Sequence, residues 1–192
     1  MSSFEAIVMI TEIIEKRRAV FPRQYNTDSI SKEEIQKVLE AANWAPTHKH
    51  TEPWRFKVIY GTERLEQFSD FLGERYKATA KRFSQGKYER TMEKVKRSGC
   101  VILICFQSDP KNRLPEWEEV AATAMAVQNM WLTAAELEIG AYWSTSGLRQ
   151  DIGQFVELNE GERCLGFFYM GKYDGELPEG KREPIEDKVE WI

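Results

Sequence analysis

Histidine and cysteine are scarce in this chain of 192 residues. Its only histidines are His48 and His50, and its cysteines are Cys100, Cys105 and Cys164. An odd cysteine count without a CxxC pair argues against a disulfide framework and for reduced, mostly buried thiols. None of the three lies in a polar loop, which weakens a Cys–His pair. A metal site built on the two histidines would have only Glu52 nearby as an acidic ligand. The hydrolase and nucleotide signatures GxSxG, HExxH, GxxxxGK[ST] and GxGxxG after a strand are all missing. No apolar run approaches the roughly 20 residues of a membrane span. The N-terminal stretch carries Glu5, Glu12 and Glu15 within its apolar part, and its basic residues follow that part, the reverse of a secretion signal. A cytoplasmic protein is expected. Net charge is −4, so no strong basic field points to nucleic acid as the main partner.

What is present is ordinary globular material, 42% hydrophobic and 30% charged, with six tryptophans, in a length that suits one domain. Residues 5–18 predict a helix with Ile7, Ile10 and Ile14 on one stripe. Ser31 to Glu34 is a capping box, opening a second helix that buries Ile35, Val38, Leu39 and Ala42 and must stop before Pro46. The stretch 45–53 is a defined loop. Residues 54–60 alternate as a strand, and 100–106 form a continuous apolar strand covered on both faces. Between them, 62–97 is charged and helical in pattern, with Gly73 and Gly86 as expected breaks. It is the most polar region and the one expected to be most mobile. A long helix spans 116 to about 138, with Val120, Ala121, Ala124, Val127, Gln128, Trp131 and Ala135 on one side and further apolar residues elsewhere. A helix apolar nearly all round is central or lies in a large interface. Residues 140–146 are a short strand running into a loop, and 165–173 are the last strand. The tail 174–192 is polar but ends in Val189, Trp191 and Ile192, which suggests packing on a partner subunit. The element order predicts an α+β or mixed α/β sandwich.

Charge offers one lead. Arg17 and Arg18 end a helix, Lys172 ends a strand after Gly171, and Lys181 and Arg182 lie in the tail. Each alone reads as a solvated surface charge. Converging, three or four such cations would hold a phosphate monoester, with the forked donors of arginine suited to it.

Four segments carry a resemblance. IEKRRAVFPRQY resembles the RRSxRxF/Y opening of the nitroreductase-like flavoenzymes. AANWAPTHKHTEPWRFKVI resembles their AxxAPSxxNxQPWxFxV block. GAYWSTS resembles G-G/A-x-W-x-S/T, and LGFFYMGKYDG resembles their closing strand. Each is weak alone; four in order are strong, and the short chain looks most like the compact bacterial NAD(P)H nitroreductases. The resemblance implies an α+β, three-layer α/β/α sandwich over residues 1–192, with a central mixed, mainly antiparallel sheet and an intertwined homodimer. It implies FMN at the subunit interface and NADH or NADPH as electron donor. Nitroaromatics, quinones or other electron-poor molecules would be reduced in ping-pong fashion by hydride transfer through the flavin N5, which leaves little acid–base work for the protein. Arg17, Arg18 and the Ala19 backbone would hold the phosphate and ribityl chain, with Lys172 or Arg182 as a further donor. Pro46, Thr47, His48 and His50 would come from the other subunit. Trp143, Ser144 and Thr145 would cover the ring, and Trp44 could also touch it. The chain departs from the family pattern at Ala19, where the hydroxyl of a serine is lost, and at His50, Glu52 and Ser144. Glu52 is expected to point away from the flavin. A non-catalytic flavin-binding module on the same dimer is the alternative, and 62–97 is the one region that could form a substrate-selecting lid.

Overall fold

A computed structural model of the chain describes residues 3–192, with the side chains of residues 3–9 outside that description; the Ile7 stripe position therefore falls outside the described residues. Five α-helices and four strands follow in the order α1 (Ser3–Lys16), α2 (Lys32–Ala42), β1 (Trp54–Tyr60), α3 (Thr62–Thr79), α4 (Gln85–Lys96), β2 (Cys100–Gln107), α5 (Glu116–Glu136), β3 (Ile139–Ser144) and β4 (Glu162–Lys172). The strands form one sheet in the order β1-β2-β4-β3, and every described pairing is antiparallel.

Strand β2 sits inside the sheet, and all its residues but the last are buried, as its unbroken apolar run predicts. Alternate residues feed two cores. Ile102, Ile104, Ala141, Phe168 and Met170 pack with Ile35, Val38, Ala126 and Met130 of α2 and α5. Val101, Leu103, Phe167 and Tyr169 pack with Phe68, Leu72 and Val95 of α3 and α4. Helices thus cover both faces, the three-layer sandwich that the resemblance implies.

The predicted capping box forms: the Ser31 Oγ accepts from the Glu34 amide at 3.2 Å, and the Glu34 carboxylate accepts from the Ser31 amide at 2.8 Å. Two expectations need correction. Neither Gly73 nor Gly86 breaks a helix: α3 runs through Gly73, Gly86 is the second residue of α4, and the break falls at 80–84. A Cβ on Gly73 would stand 2.8 Å from the Met92 Sδ, so glycine allows α4 close approach. The sheet-facing stripe of α5 is also displaced from the predicted one. It comprises Glu119, Ala122, Thr123, Ala126, Val127, Met130 and Ala134. Of the predicted residues only Val127 is buried, and the others lie along the flanks and outer side. An all-round apolar pattern cannot say which stripe faces the sheet.

Two glycines direct the chain after α1. Gly140 and Gly171 face each other across β3 and β4. A Cβ on Gly140 would lie 2.8 Å from Val20, and one on Gly171 would overlap the Tyr25 ring. The segment 20–25 therefore lies directly on the strands. Its hold is completed by the Val20 amide donating to the Ala141 carbonyl at 3.0 Å. The Tyr25 hydroxyl sits 2.9 and 3.0 Å from the carbonyls of Val20 and Tyr169. Arg17 and Arg18 precede that seam and inherit its position.

Candidate functional site

Arg17 and Arg18 project where α1 meets the C-terminal half of α5. The Arg17 guanidinium lies 4.5 Å from the centre of the Trp131 ring, and the Trp131 indole N–H donates to the Arg18 carbonyl at 3.3 Å. Arg18 donates to backbone carbonyls of Glu15, Arg17 and Pro178. The last contact brings the beginning of the tail over the site, and Gly180 packs so closely on the Arg18 guanidinium that a Cβ there would overlap it. Arg182 joins the group. Burial first, then the charges of Arg182 and Arg18, lowers the Arg17 pKa from its ordinary value. Among the described residues none of the three arginines forms an ion pair. A cavity of about 710 Å³ opens beside them, floored by Trp131 and Ile139 and bordered by Leu177 and Pro178. Glu12, Glu136 and Glu138 also line it. Three unpaired cations crowded together are stabilised by an anion more than by one another.

Lys172 is elsewhere engaged. Its ammonium donates to the Glu34 carboxylate at 2.7 Å and to the Leu137 carbonyl at 3.1 Å. It ties the start of α2 to the end of α5 and β4. That hydrogen bond is the first cause that holds the Glu34 pKa below its ordinary value, ahead of the Ser31 amide.

The loop after α2 has an unusual backbone. Lys49, His50 and Glu52 adopt left-handed φ angles of 52°, 52° and 41°, conformations that cost non-glycine residues roughly 1 kcal/mol or more each. Side chains hold it. The Thr47 Oγ1 accepts from the Glu52 amide at 3.1 Å. The His48 Nδ1 lies 2.6 Å from the Glu118 carboxylate, and the Lys49 ammonium donates to the Arg113 carbonyl at 3.3 Å. Pro46, His48, His50 and Glu52 are exposed, and Trp44 beside them is 86% exposed. The anchor Glu118 stands at the start of α5 and Trp131 thirteen residues on, so loop and arginines are about 20 Å apart along the helix. One chain alone does not bring them together.

The third group ends β3. Trp143 is partly buried on the α5 side of the sheet; its register partner Phe168 meets the Trp131 ring edge-on at 5.7 Å. Its indole N–H is buried without a partner. Ser144 is buried and Thr145 exposed. Trp131, Glu118 and the glycine pair were not singled out as site residues by sequence reasoning. Trp131 had a visible signal, an aromatic on a helix whose nearly all-round apolar pattern marks it as central or part of a large interface. Glu118 had none, since any first-turn carboxylate of a helix looks the same.

Such an arrangement defines an α+β sandwich with an arginine cradle at one end of its central helix and a strained, anchored loop at the other. The Nitroreductase family model matches residues 14–172, and the chain belongs to that family. The chain is 28% identical over 183 residues to the Bacillus subtilis protein named "Putative NAD(P)H nitroreductase YfhC", covering 94% of this chain and 92% of that one. The crystal structure of a nitroreductase-like family protein from Bacillus cereus superposes with a TM-score of 0.80 at 27% identity, covering 95% of each chain. That of a nitroreductase with bound FMN from Bacteroides fragilis shares the fold, with a TM-score of 0.71, 21% identity, and 95% and 98% of the two chains covered.

Proposed function

We propose that the protein is an FMN-dependent NAD(P)H oxidoreductase that reduces nitroaromatics, quinones or related electron-poor small molecules as a homodimer. The observation that carries this is the unpaired cluster of Arg17, Arg18 and Arg182 at the position where the family motif expects a phosphate. FMN, when bound, supplies the two-electron chemistry between a nicotinamide donor and the acceptor.

The chain's own residues bind, orient and exclude water. Arg17 offers donors to a phosphate while its face rests on Trp131. Arg18 is fixed by backbone carbonyls and contributes charge in a set position. Arg182, not Lys172, is the further phosphate donor in this reading, because Lys172 is spent on Glu34 and Leu137. Ala19 is exposed, and its amide is the donor offered where a serine hydroxyl is missing. Trp143, Ser144 and Thr145 form a wall for a flat ring. Pro46, Thr47, His48 and His50 reach the ring from the second subunit, with Trp44 beside them. The separation within one chain supports this, as do Ile10, Ile14, Trp117 and Met125, which are exposed on α1 and α5. No described helix is long and apolar enough to cross a membrane.

Anaerobic stopped-flow mixing of FMN-loaded protein with NADH and with NADPH tests the reading. Rapid bleaching of the flavin absorbance by one of them is expected. Flavin uptake without bleaching would move the protein to the non-catalytic binding module, and no flavin uptake would sink both.

A further inference from the structure

A second groove lies on the other face of the sheet. Phe21 follows the arginine segment but turns away from Trp131, and its ring meets Tyr142 at 4.6 Å with the two planes tilted by 47°. Tyr142 belongs to the α3–α4 core, whereas Trp131 and Trp143 belong to the α2–α5 core. The groove encloses about 460 Å³ between Phe21, Pro22 and Arg23 on one side and Arg90, Lys94 and Arg97 of α4 on the other. Glu93 is its only acidic residue, and Arg97 takes that carboxylate at 2.7 Å. Among the described residues Arg23, Arg90 and Lys94 form no ion pair. The Arg23 guanidinium lies 5.9 Å from the Phe21 ring and the Lys94 ammonium 5.7 Å from the Tyr142 ring. Phe21 remains 38% exposed.

Solvated lysines and arginines are common on any surface, but here their distribution is uneven. The chain has a net charge of −4, yet residues 77–97 hold eight lysines and arginines against two glutamates. Three cations without counterions are gathered around an open aromatic face, and each raises the free energy of its neighbours until an anion enters. A phosphate chain would meet forked donors from Arg23 and Arg90 and a point charge from Lys94. A planar ring would cover Phe21, which water now wets. We propose that this groove binds an aromatic polyanion of the nucleoside polyphosphate class, at a site separate from the Arg17 cradle and on the opposite face of the sheet.

Calorimetric titration with ATP, inorganic triphosphate and adenosine tests this on the full-length protein. ATP is expected to bind at least about tenfold more tightly than either fragment, because ring and phosphates are both recognised. Arg90→Glu should weaken ATP about tenfold or more and Phe21→Ala about threefold or more, with the circular dichroism unchanged. If Arg90→Glu does not fold, Arg90→Gln should weaken ATP about threefold or more. Lys81→Glu, an equal charge change on the same segment outside the groove, should stay within about twofold, as should Arg17→Ala. No measurable ATP binding would overturn the proposal. Triphosphate as tight as ATP would reduce the groove to an undirected charge, and an equal effect of Lys81→Glu would do the same. Loss of ATP binding in Arg17→Ala would place the nucleotide in the other cradle. Because the flavin reading rests on Arg17 and not on Arg90 or Phe21, failure here leaves that reading intact.

Discussion

At the scale of single residues, neighbours decide which cations are free. Arg17, Arg182 and Lys172 look alike in sequence, each a basic residue that alone reads as a solvated charge. In the folded chain Lys172 is held by a carboxylate and a helix-end carbonyl, while Arg17 faces two other arginines. Arg182→Ala and Arg17→Ala should therefore each weaken FMN retention about tenfold or more, measured by fluorescence of released flavin, at unchanged melting temperature. Lys172→Met should retain FMN yet melt earlier, by no more than about 1 kcal/mol since the pair is partly solvated. The same pair sets an acid sensitivity. The Glu34 pKa is below its ordinary 4.5, and Arg113 holds the Asp109 carboxyl down to about 2. Folded values below unfolded ones mean that this stability is present above the ordinary carboxylate range and is lost as pH falls through the folded values. Melting temperature should hold between about pH 7 and 5 and fall below about pH 4, less steeply in Lys172→Met. An identical acid limb in that variant would show that Glu34 plays no part. Glu119 runs the other way. It is 2% exposed, burial raises its pKa, and its carboxylate accepts from the Asp109 amide at 2.9 Å. Glu119→Gln should be close to neutral at pH 7, whereas Glu119→Ala orphans that amide and should cost about 1–3 kcal/mol in thermal denaturation.

At the scale of elements, much was legible in the sequence because the signals are local. The capping box before Glu34, the alternation of 54–60 and the apolar run at 100–106 each have a physical period or a bonded partner within a few residues. Tertiary choices were not local. Gly73 reads as a helix breaker until Met92 of α4 is seen against it, and the stripe of α5 that meets the sheet could not be chosen from a helix apolar on most sides. The loop motif located His48 and His50, but nothing nearby announced Glu118 seventy residues on. The Gly140–Gly171 pair is the most consequential feature that sequence reasoning passed over, because it lets residues 20–25 lie on the strands and so aims Arg17. Gly171→Ala would push a Cβ into the anchored Tyr25 ring. It should cost about 1–3 kcal/mol and weaken flavin retention in parallel, although Gly171 touches no part of the proposed cofactor. Lost stability with unchanged flavin retention would show that the seam does not position the arginines.

At the scale of the whole molecule, the two halves of the proposed site lie at opposite ends of α5, about 20 Å apart. A second copy related by a twofold axis would bring the loop of one chain to the arginines of the other, and would do so twice. That arrangement makes a prediction that no site confined to one chain can meet. Arg17→Ala breaks the cradle and a His48→Ala/His50→Ala chain breaks the loop, so neither homodimer should reduce an acceptor at the normal rate. When the two variants are unfolded together, mixed in equal amounts and refolded, about half of the dimers are mixed. Each mixed dimer pairs one intact cradle with one intact loop at one interface and leaves the other doubly broken. About a quarter of all sites should then regain flavin and activity, and the recovery should depend on the mixing ratio. If each chain carried its own complete site, the mixture would show only the average of its two parents at every ratio. Recovery above that average is therefore the measurement on which the shared site, and with it the dimer as the working unit, stands or falls.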